Sequence, residues 1–503
     1  MIKSLISRFL KKGDAGLPTP NENRIGVSKH GIQLEWVDRR AIDVVKTLQD
    51  RGHEAYIVGG AVRDLLLGLK PKDFDVATNA TPEQVKAAFR RAFIIGKRFR
   101  IVHVVFGRGR EHEVIEVTTF RANLSSDQAH QVSGNERTSK KDLMHLNHAI
   151  DASGRLLRDN VWGTQAEDAT RRDFTINAMY YDPISQVLID YHGGYSDAKK
   201  KILRMIGDPA SRYREDPVRI IRAVRFCAKL KGLKFKLDAA TAKPMIKHLP
   251  LLEQVPQSRM FDEMLKLLQT GHAVHSIETL KELGMAKGIY PLLDVVVERS
   301  QFPLVAAALI DTDRRVSEDK PVAPSFLLAC VLWSDVSERW EIQRRKLAPQ
   351  PALMAAMDEV FEWRVGDVSG RGKLAADMRE IWTMQPRFER RTASTCMTLV
   401  AQPRFRAGFD FMRLRVQAGE LPSELAQWWE NFSLADPETQ QHMIQDMRRA
   451  SQQRLREVER STSPDASAAD PSSSATRRRR RRRSRTNGSS ESSPHDPDSN
   501  TNG

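Results

Sequence analysis

The stretch Tyr56–Thr78, YIVGGAVRDLLLGLKPKDFDVAT, leaves few folds open to this chain. Tyr56–Val58 is a short apolar run that predicts a strand. Gly59-Gly60 ends it and removes two side chains. Ala61–Leu67 predicts a helix closed by Gly68, and Pro71-Lys72 a turn. Asp73-Phe74-Asp75-Val76 then predicts a second strand with carboxylates on one face and apolar residues on the other. Side chains at i and i+2 of a strand share a face, so Asp73 and Asp75 aim at one region of space. Two carboxylates that close repel unless a cation lies between them. Magnesium suits the pair, since it takes hard oxygens and is often held by one or two carboxylates plus substrate phosphates. Gly59 and Gly60, entering a helix N-terminus, let backbone N–H groups approach a triphosphate. Arg63, in the first turns, is a further phosphate contact. An Asp-x-Asp pair alone is as easily a solvated strand edge. The order Gly-Gly, Arg-Asp, Asp-x-Asp within one strand–helix–strand unit makes the reading specific.

Around this unit, residues 13–34 are polar and broken by Gly and Pro, which predicts a linker. Trp36–Gln49 predicts a helix with Ala41, Val44, Val45 and Leu48 on one side. Thr81-Pro82 predicts a helix start, Thr81 as N-cap and Pro82 at the first helical position. Residues 93–96, 101–106 and 113–118 predict further strands. Within the last, Glu116 is a lone acid in an apolar run; a buried unpaired carboxylate is costly, but beside Asp73 and Asp75 it becomes a third metal ligand. Residues 122–157 form a long polar loop. His145 and His148 lack the remaining spacing of a zinc site.

Farther on, EDATRRDFTIN over Glu167–Asn177 sets Arg171 and Arg172 before Asp173. One arginine has a structural partner in Glu167 or Asp168; adjacent arginines also suit bidentate phosphate binding. Tyr213–Lys229 predicts one helix with Asp216 and Arg219 a turn apart and Arg222 and Arg225 continuing the spacing. A carboxylate accepting from adenine N6 and a guanidinium donating to N1 would read the base without a template. Beyond residue 240 the pattern is helical throughout. Arg387, Arg390, Arg391, Arg404, Arg406, Arg413 and Arg415 mark either an RNA-facing surface or a solvated one, and Trp428-Trp429 reads as core. The tail from about Ser461 is predicted disordered and contains the unbroken run Arg477–Arg483.

The formal net charge of +16, part of it in this tail, favours a polyanionic partner. The three cysteines, Cys227, Cys330 and Cys396, lie far apart; they argue against disulfide partners and fit a cytoplasmic protein. Met1–Lys12 is short, amphipathic and basic, suited at most to weak contact with a membrane surface.

GGAVRDLLLG…KDFDVAT, RRDFTINAMYYD at 171–182 and RYREDPVRIIRAVRF at 212–226 together resemble the branch of the nucleotidyltransferase superfamily that holds bacterial poly(A) polymerases and CCA-adding enzymes. The resemblance covers about the first half of the chain in three ordered blocks. It implies an α/β nucleotidyltransferase (polymerase beta-like) head, then all-α neck and body, then the basic tail. The expected divisions are 1–35, 36–185 for the head, 186–270 for a neck binding nucleotide and RNA, 271–455 for an RNA-binding body, and 456–503. The implied reaction is template-independent transfer of AMP from ATP to an RNA 3′-hydroxyl. Asp73, Asp75 and Glu116 would hold two magnesium ions. Asp173 counts with the strand aspartates as catalytic, without a metal contact assigned. Gly59, Gly60, Arg63 and Arg172 would meet the nucleotide's phosphates, and Asp216, Arg219 and Arg222 would complete its pocket. Ile94–Val104, IIGKRFRIVHV, resembles the poly(A) version of its strand pair; the long helical part and basic tail suit many RNA 3′ ends, including decay intermediates and with them the decay machinery. The alternative is a CCA-adding tRNA nucleotidyltransferase, and a non-catalytic RNA binder on the same scaffold is the third reading.

Overall fold

The computed structural model describes residues 21–96, 100–107, 112–122, 130–131, 148–150, 156–159, 161–365 and 372–461. Met1–Lys12, most of the 122–157 loop and Arg477–Arg483 lie outside them. The chain divides into two units, 1–435 and 436–503.

The first unit begins with a mixed sheet. Its strands are β1 (Asn23–Ile25), β2 (Ala55–Val58), β3 (Asp75–Thr78), β4 (Ala92–Ile95), β5 (Ile101–Phe106), β6 (Glu113–Thr119), β7 (Met179–Asp182) and β8 (Val187–Asp190). Their order is β1-β8-β7-β2-β3-β6-β5-β4. Only β3 and β6 run parallel; the other neighbours are antiparallel. Three helices back one face: α1 (Arg39–Gln49), α2 (Gly60–Leu66) and α3 (Pro82–Ala88). Asp38 caps α1 by accepting from the Arg40 N–H, and Ala41, Val44, Val45 and Leu48 pack against Ile57, Val76 and Val117. Thr81 caps α3 with Pro82 inside the start, as the sequence predicts, and adds a reciprocal box with Gln84. On the opposite face α4 (Gln165–Arg171), capped by Thr164 and Glu167, lays Ala169 with Phe120 over Val58, Ala77 and Tyr180.

After α5 (Gly194–Lys200) the chain becomes helical: α6 (Pro209–Glu215), α7 (Arg219–Leu230) and α8 (Gln257–Leu268), then Ala273–Glu282, Pro291–Arg299, Pro303–Ser317, Pro324–Gln343, Pro349–Val360, Gly372–Glu389, Ala393–Val400, Phe405–Gln417 and Ser423–Leu434. One apolar core runs through them from Phe174 to Leu414. The second unit is described over a helix, Pro437–Ser461, whose start is capped by Asp436 accepting from the N–H groups of Glu438 and Thr439.

Three sequence expectations change. The 13–34 linker contains β1, which pairs with β8 at the sheet edge. Residues 179–190, without an assignment from the sequence, supply two sheet strands. The helix expected over 213–229 is two, α6 and α7. Asp216 is extended between them (φ −147°, ψ 95°), because the ring of Pro217 disfavours helical backbone in the residue before it.

Candidate active site

The β3–β6 pairing sets Asp75 opposite Glu116. Asp73 lies just before β3, and Phe74 and Val76 turn into the core, so the alternation read from the sequence holds even though the strand starts at Asp75. The next strand adds a side chain the sequence did not single out: His103, opposite Glu116, with Nε2 3.8 Å from its Oε2. Asp75 keeps exposed surface, yet protein packs closely around its carboxyl. Removal from water first, then the charges of Glu116 and Asp73, push it up to about 6 against the pull of Arg172. Glu116 is raised too, by burial and against Arg121. Among the described residues no three His, Cys, Asp or Glu side chains gather into a ready-made metal cage, so the expected three-carboxylate site is not assembled as one cluster. Like charges at this spacing keep apart. The donor set nonetheless fits a hard divalent ion: carboxylate oxygens on one solvent-touching face, each made costly to ionise by burial.

Gly59 joins β2 to α2 at φ 78°, ψ −132°, a conformation that only glycine adopts readily. A β-carbon there would stand 3.8 Å from Nη1 of Arg172. Arg172 closes α4 and is held from behind. Its Nη2 donates to Asp168 at 2.9 Å, and its Nε lies 3.2 Å from the same oxygen and 3.3 Å from the Tyr180 hydroxyl. Tyr180 itself donates to Asp168 at 2.7 Å. Burial alone would raise the Asp168 carboxyl, but Arg172 and Tyr180 outweigh it and hold it below the usual range. Arg172 therefore has the structural partner foreseen for one of the two arginines and still turns Nη1 towards Gly59.

Arg63 departs from expectation. It is 1% exposed; Nε and Nη2 donate to Asp64 at 2.8 and 2.7 Å, and Nη1 to Asn177 at 2.8 Å. All three nitrogens are engaged: two brace Arg63 against Asp64 on α2 itself, and Nη1 ties α2 to the segment that follows Asp173.

Asp173 also departs. Its Oδ1 accepts from Arg219 Nε at 3.1 Å and its Oδ2 from Arg222 Nε. Burial pushes this carboxyl up, but Arg222 and Arg219 outweigh it and keep it well ionised. It joins the head to α7 and not to Asp73 and Asp75. Nor do Asp216 and Arg219 share a helix face: Asp216 accepts from Arg259 on α8 at 2.6 Å, while Arg219 Nη1 donates to Glu215 and to the Arg212 carbonyl. Arg212 reaches back, with Nη2 2.7 Å from the carbonyl oxygens of both Arg171 and Arg172. Sequence reasoning missed Tyr180, Arg212 and Arg259 as supports; Asp168, one helical turn before Arg172, was the one it named as a partner.

Of the arginines in the helical part, Arg404 pairs with Asp377 and Glu380, Arg406 with Asp410, and Arg415 is buried against Glu420 and the Trp333 ring. Trp429 is buried and donates to the Phe388 carbonyl, as the core reading requires.

The model of the Poly A polymerase head domain matches residues 55–204, spanning every site residue up to Asp173. Two more match in order: the probable RNA and SrmB-binding site of polymerase A over 234–296, and the polymerase A arginine-rich C-terminus over 345–486. Poly(A) polymerase I of Haemophilus influenzae is 40% identical over 438 residues, 85% of this chain and 92% of that one. The chain belongs to the poly(A) polymerase I family. Another member, from Salmonella typhimurium, is 37% identical over 88% of this chain and 93% of its own. Among solved structures, the CCA-adding enzyme of Bacillus stearothermophilus in complex with CTP is similar at 26% identity and a TM-score of 0.51, covering 78% of this chain and 80% of that one. Poly(A) polymerase I relatives thus align at higher identity than this CCA-adding structure.

Proposed function

We propose that this chain extends RNA 3′ ends with AMP taken from ATP, without a template and with release of pyrophosphate. The carrying observation is family membership at 40% identity across 92% of a poly(A) polymerase I. The site supports it residue by residue. Asp73, Asp75 and Glu116 are the oxygens that would hold magnesium, two ions in this reading. Bound there, the metal supplies a lowered pKa for the attacking 3′-hydroxyl and charge neutralisation for the departing pyrophosphate. Arg172, fixed by Asp168 and Tyr180, presents Nη1 beside the open backbone of Gly59 and Gly60, where a phosphate fits. A guanidinium already oriented before substrate arrives loses little on binding and stabilises charge as it develops.

Arg63, Asp173 and Arg212 take positioning roles. Asp173 aligns Arg219 and Arg222 at the start of α7, where those arginines and Asp216 would border the nucleobase. The fit of Asp216 to adenine then requires Arg259 to share or release it. The neck and body would hold RNA, with the arginine run of the tail adding contacts to phosphate backbone. Work on decay intermediates in the cytoplasm, with the decay machinery as partner, follows from the same reading. No helix among the described residues is long and apolar enough to cross a membrane.

The test is to incubate the protein with Mg²⁺, an unstructured RNA oligomer and one NTP at a time. A long ladder with ATP alone is the expected result. Addition confined to C, C and A on a trimmed tRNA would transfer the chain to the CCA-adding reading, and no addition at all would leave only an RNA binder.

A further inference from the structure

One row of side chains crosses six strands on the catalytic face: Tyr180, Val58, Asp75, Glu116, His103 and Phe93, each in register with the next. The two ends of the row differ. At Tyr180 and Val58 it is roofed by Phe120 and by Ala169 of α4, and both residues are buried. At the other end Phe93 is 55% exposed, with Ile95 on the same strand at 42% and Val114, two residues before Glu116, at 39%. Ile101 and Val105 on β5 between them are half-buried. Single exposed apolar residues are ordinary. Here several share one face of adjoining strands, in line with the carboxylates.

Adjacent strands lie about 4.8 Å apart, so Phe93 stands three spacings, about 14 Å, from Asp75 along the sheet. The side of Asp75 towards β2 is taken by Gly59 and Arg172. Among the described residues, the open approach for a second substrate is from β5 and β4. We propose that Phe93, flanked by Ile95 and Val114, is the platform on which a base near the 3′ end of the acceptor RNA stacks while its terminal hydroxyl lies at Asp75. The inference rests on the adenylyl-transfer reading. It names how the acceptor is held: through the π-face that every base possesses. Stacking of this kind tolerates any sequence, in keeping with an acceptor recognised as a 3′ end and not as a base pattern. Continuity with the catalytic row favours an RNA end over a docked protein, which would have no reason to lie in register with Asp75 and Glu116.

The test uses the full chain as wild type, Phe93→Ala and Phe93→Tyr. Phe93 is exposed, so both variants should fold, which circular dichroism checks. Losing one stacked base raises the KM for an unstructured RNA oligomer about five- to a hundred-fold in Phe93→Ala. The KM for ATP stays within about twofold, and Phe93→Tyr recovers the wild-type value. Oligomers carrying an abasic ribose at one of roughly the last three positions supply the second readout: one position weakens wild type by the same factor and leaves Phe93→Ala indifferent. Equilibrium binding of these oligomers reads the same effects without turnover, so an inactive wild type would sink the transfer reading and still leave the stack measurable. Unchanged RNA KM and binding in Phe93→Ala, the result for a protein-docking face, overturns the proposal. Equal abasic penalties in wild type and variant overturn it too.

Discussion

Asp75 and Glu116 face each other across the parallel β3–β6 pair, and burial, then the charge of Glu116, makes Asp75 harder to ionise. The sign of the effect on stability follows. The Asp75 carboxyl rises from 3.8 to about 6 on folding, so between those values the folded state holds more protons than the unfolded one. The contribution of this group is then fullest below pH 4 and is lost as pH rises through 6. In chelator at neutral pH, Asp75→Asn should melt above wild type, with the gap closing towards pH 4. Added Mg²⁺ should raise the wild-type melting temperature by mass action and leave the variant nearly unmoved. Calorimetry at two pH values, with and without Mg²⁺, reads both.

The Asp173 clamp carries the opposite sign. Its carboxyl is held low by Arg222 and Arg219, so its contribution is full above the unfolded value near 4 and is lost as pH falls below it. Asp173→Asn removes the carboxylate that Arg219 and Arg222 share, leaving Arg219 with the carboxylate of Glu215 alone. Breaking a buried pair costs about 3–5 kcal/mol; with Arg222 about a third exposed, about 3 kcal/mol is expected. Urea unfolding at pH 7 and pH 3.5 checks it: the deficit should be present at the first and smaller at the second by less than about 1 kcal/mol, because the folded carboxyl is still ionised there. An Asp173→Asn protein of wild-type stability at pH 7 would show that the clamp is not structural.

Gly59→Ala asks alanine to take φ 78° beside Arg172. The strain costs about 1–3 kcal/mol, and its relief by backbone movement should disturb Arg172. Nucleotide titration should show weaker ATP binding with RNA affinity retained. An equal loss of both would point to general unfolding.

How far the sequence was legible depends on how local each device is. Gly59, Asp75 and Thr81 were readable because a turn, an alternating strand and a cap are written within a few residues. The departures come from contacts across long separations. Arg63 bonds Asn177, Asp173 bonds Arg219 and Arg222, and Asp216 bonds Arg259. A charged residue at phosphate-binding spacing looks the same in sequence whether it meets phosphate or a carboxylate far along the chain. β7 was missed because MYYD carries apolar residues on both faces. It is buried on both, next to β2, and shows no alternation. The break between α6 and α7 was written locally in Pro217 and outweighed by the strong helical pattern on either side.

The arginine run bears on salt dependence. Removing residues 476–503 takes away Arg477–Arg483. Each RNA phosphate that the tail then ceases to neutralise reduces the salt slope of binding by about 0.7 for single strands. The truncated chain should bind an RNA oligomer more weakly at low salt and nearly as well as the full chain at high salt. Anisotropy titrations across a salt series measure it, and a parallel pair of lines would remove the tail from RNA binding.

The most direct measurement of the central claim is incorporation of labelled AMP from ATP into an unstructured RNA oligomer in Mg²⁺, wild type against Asp75→Asn, with RNA affinity measured on the same preparations. The account predicts a ladder from wild type, none from the variant, and equal RNA affinity. A ladder from Asp75→Asn at the wild-type rate would contradict it.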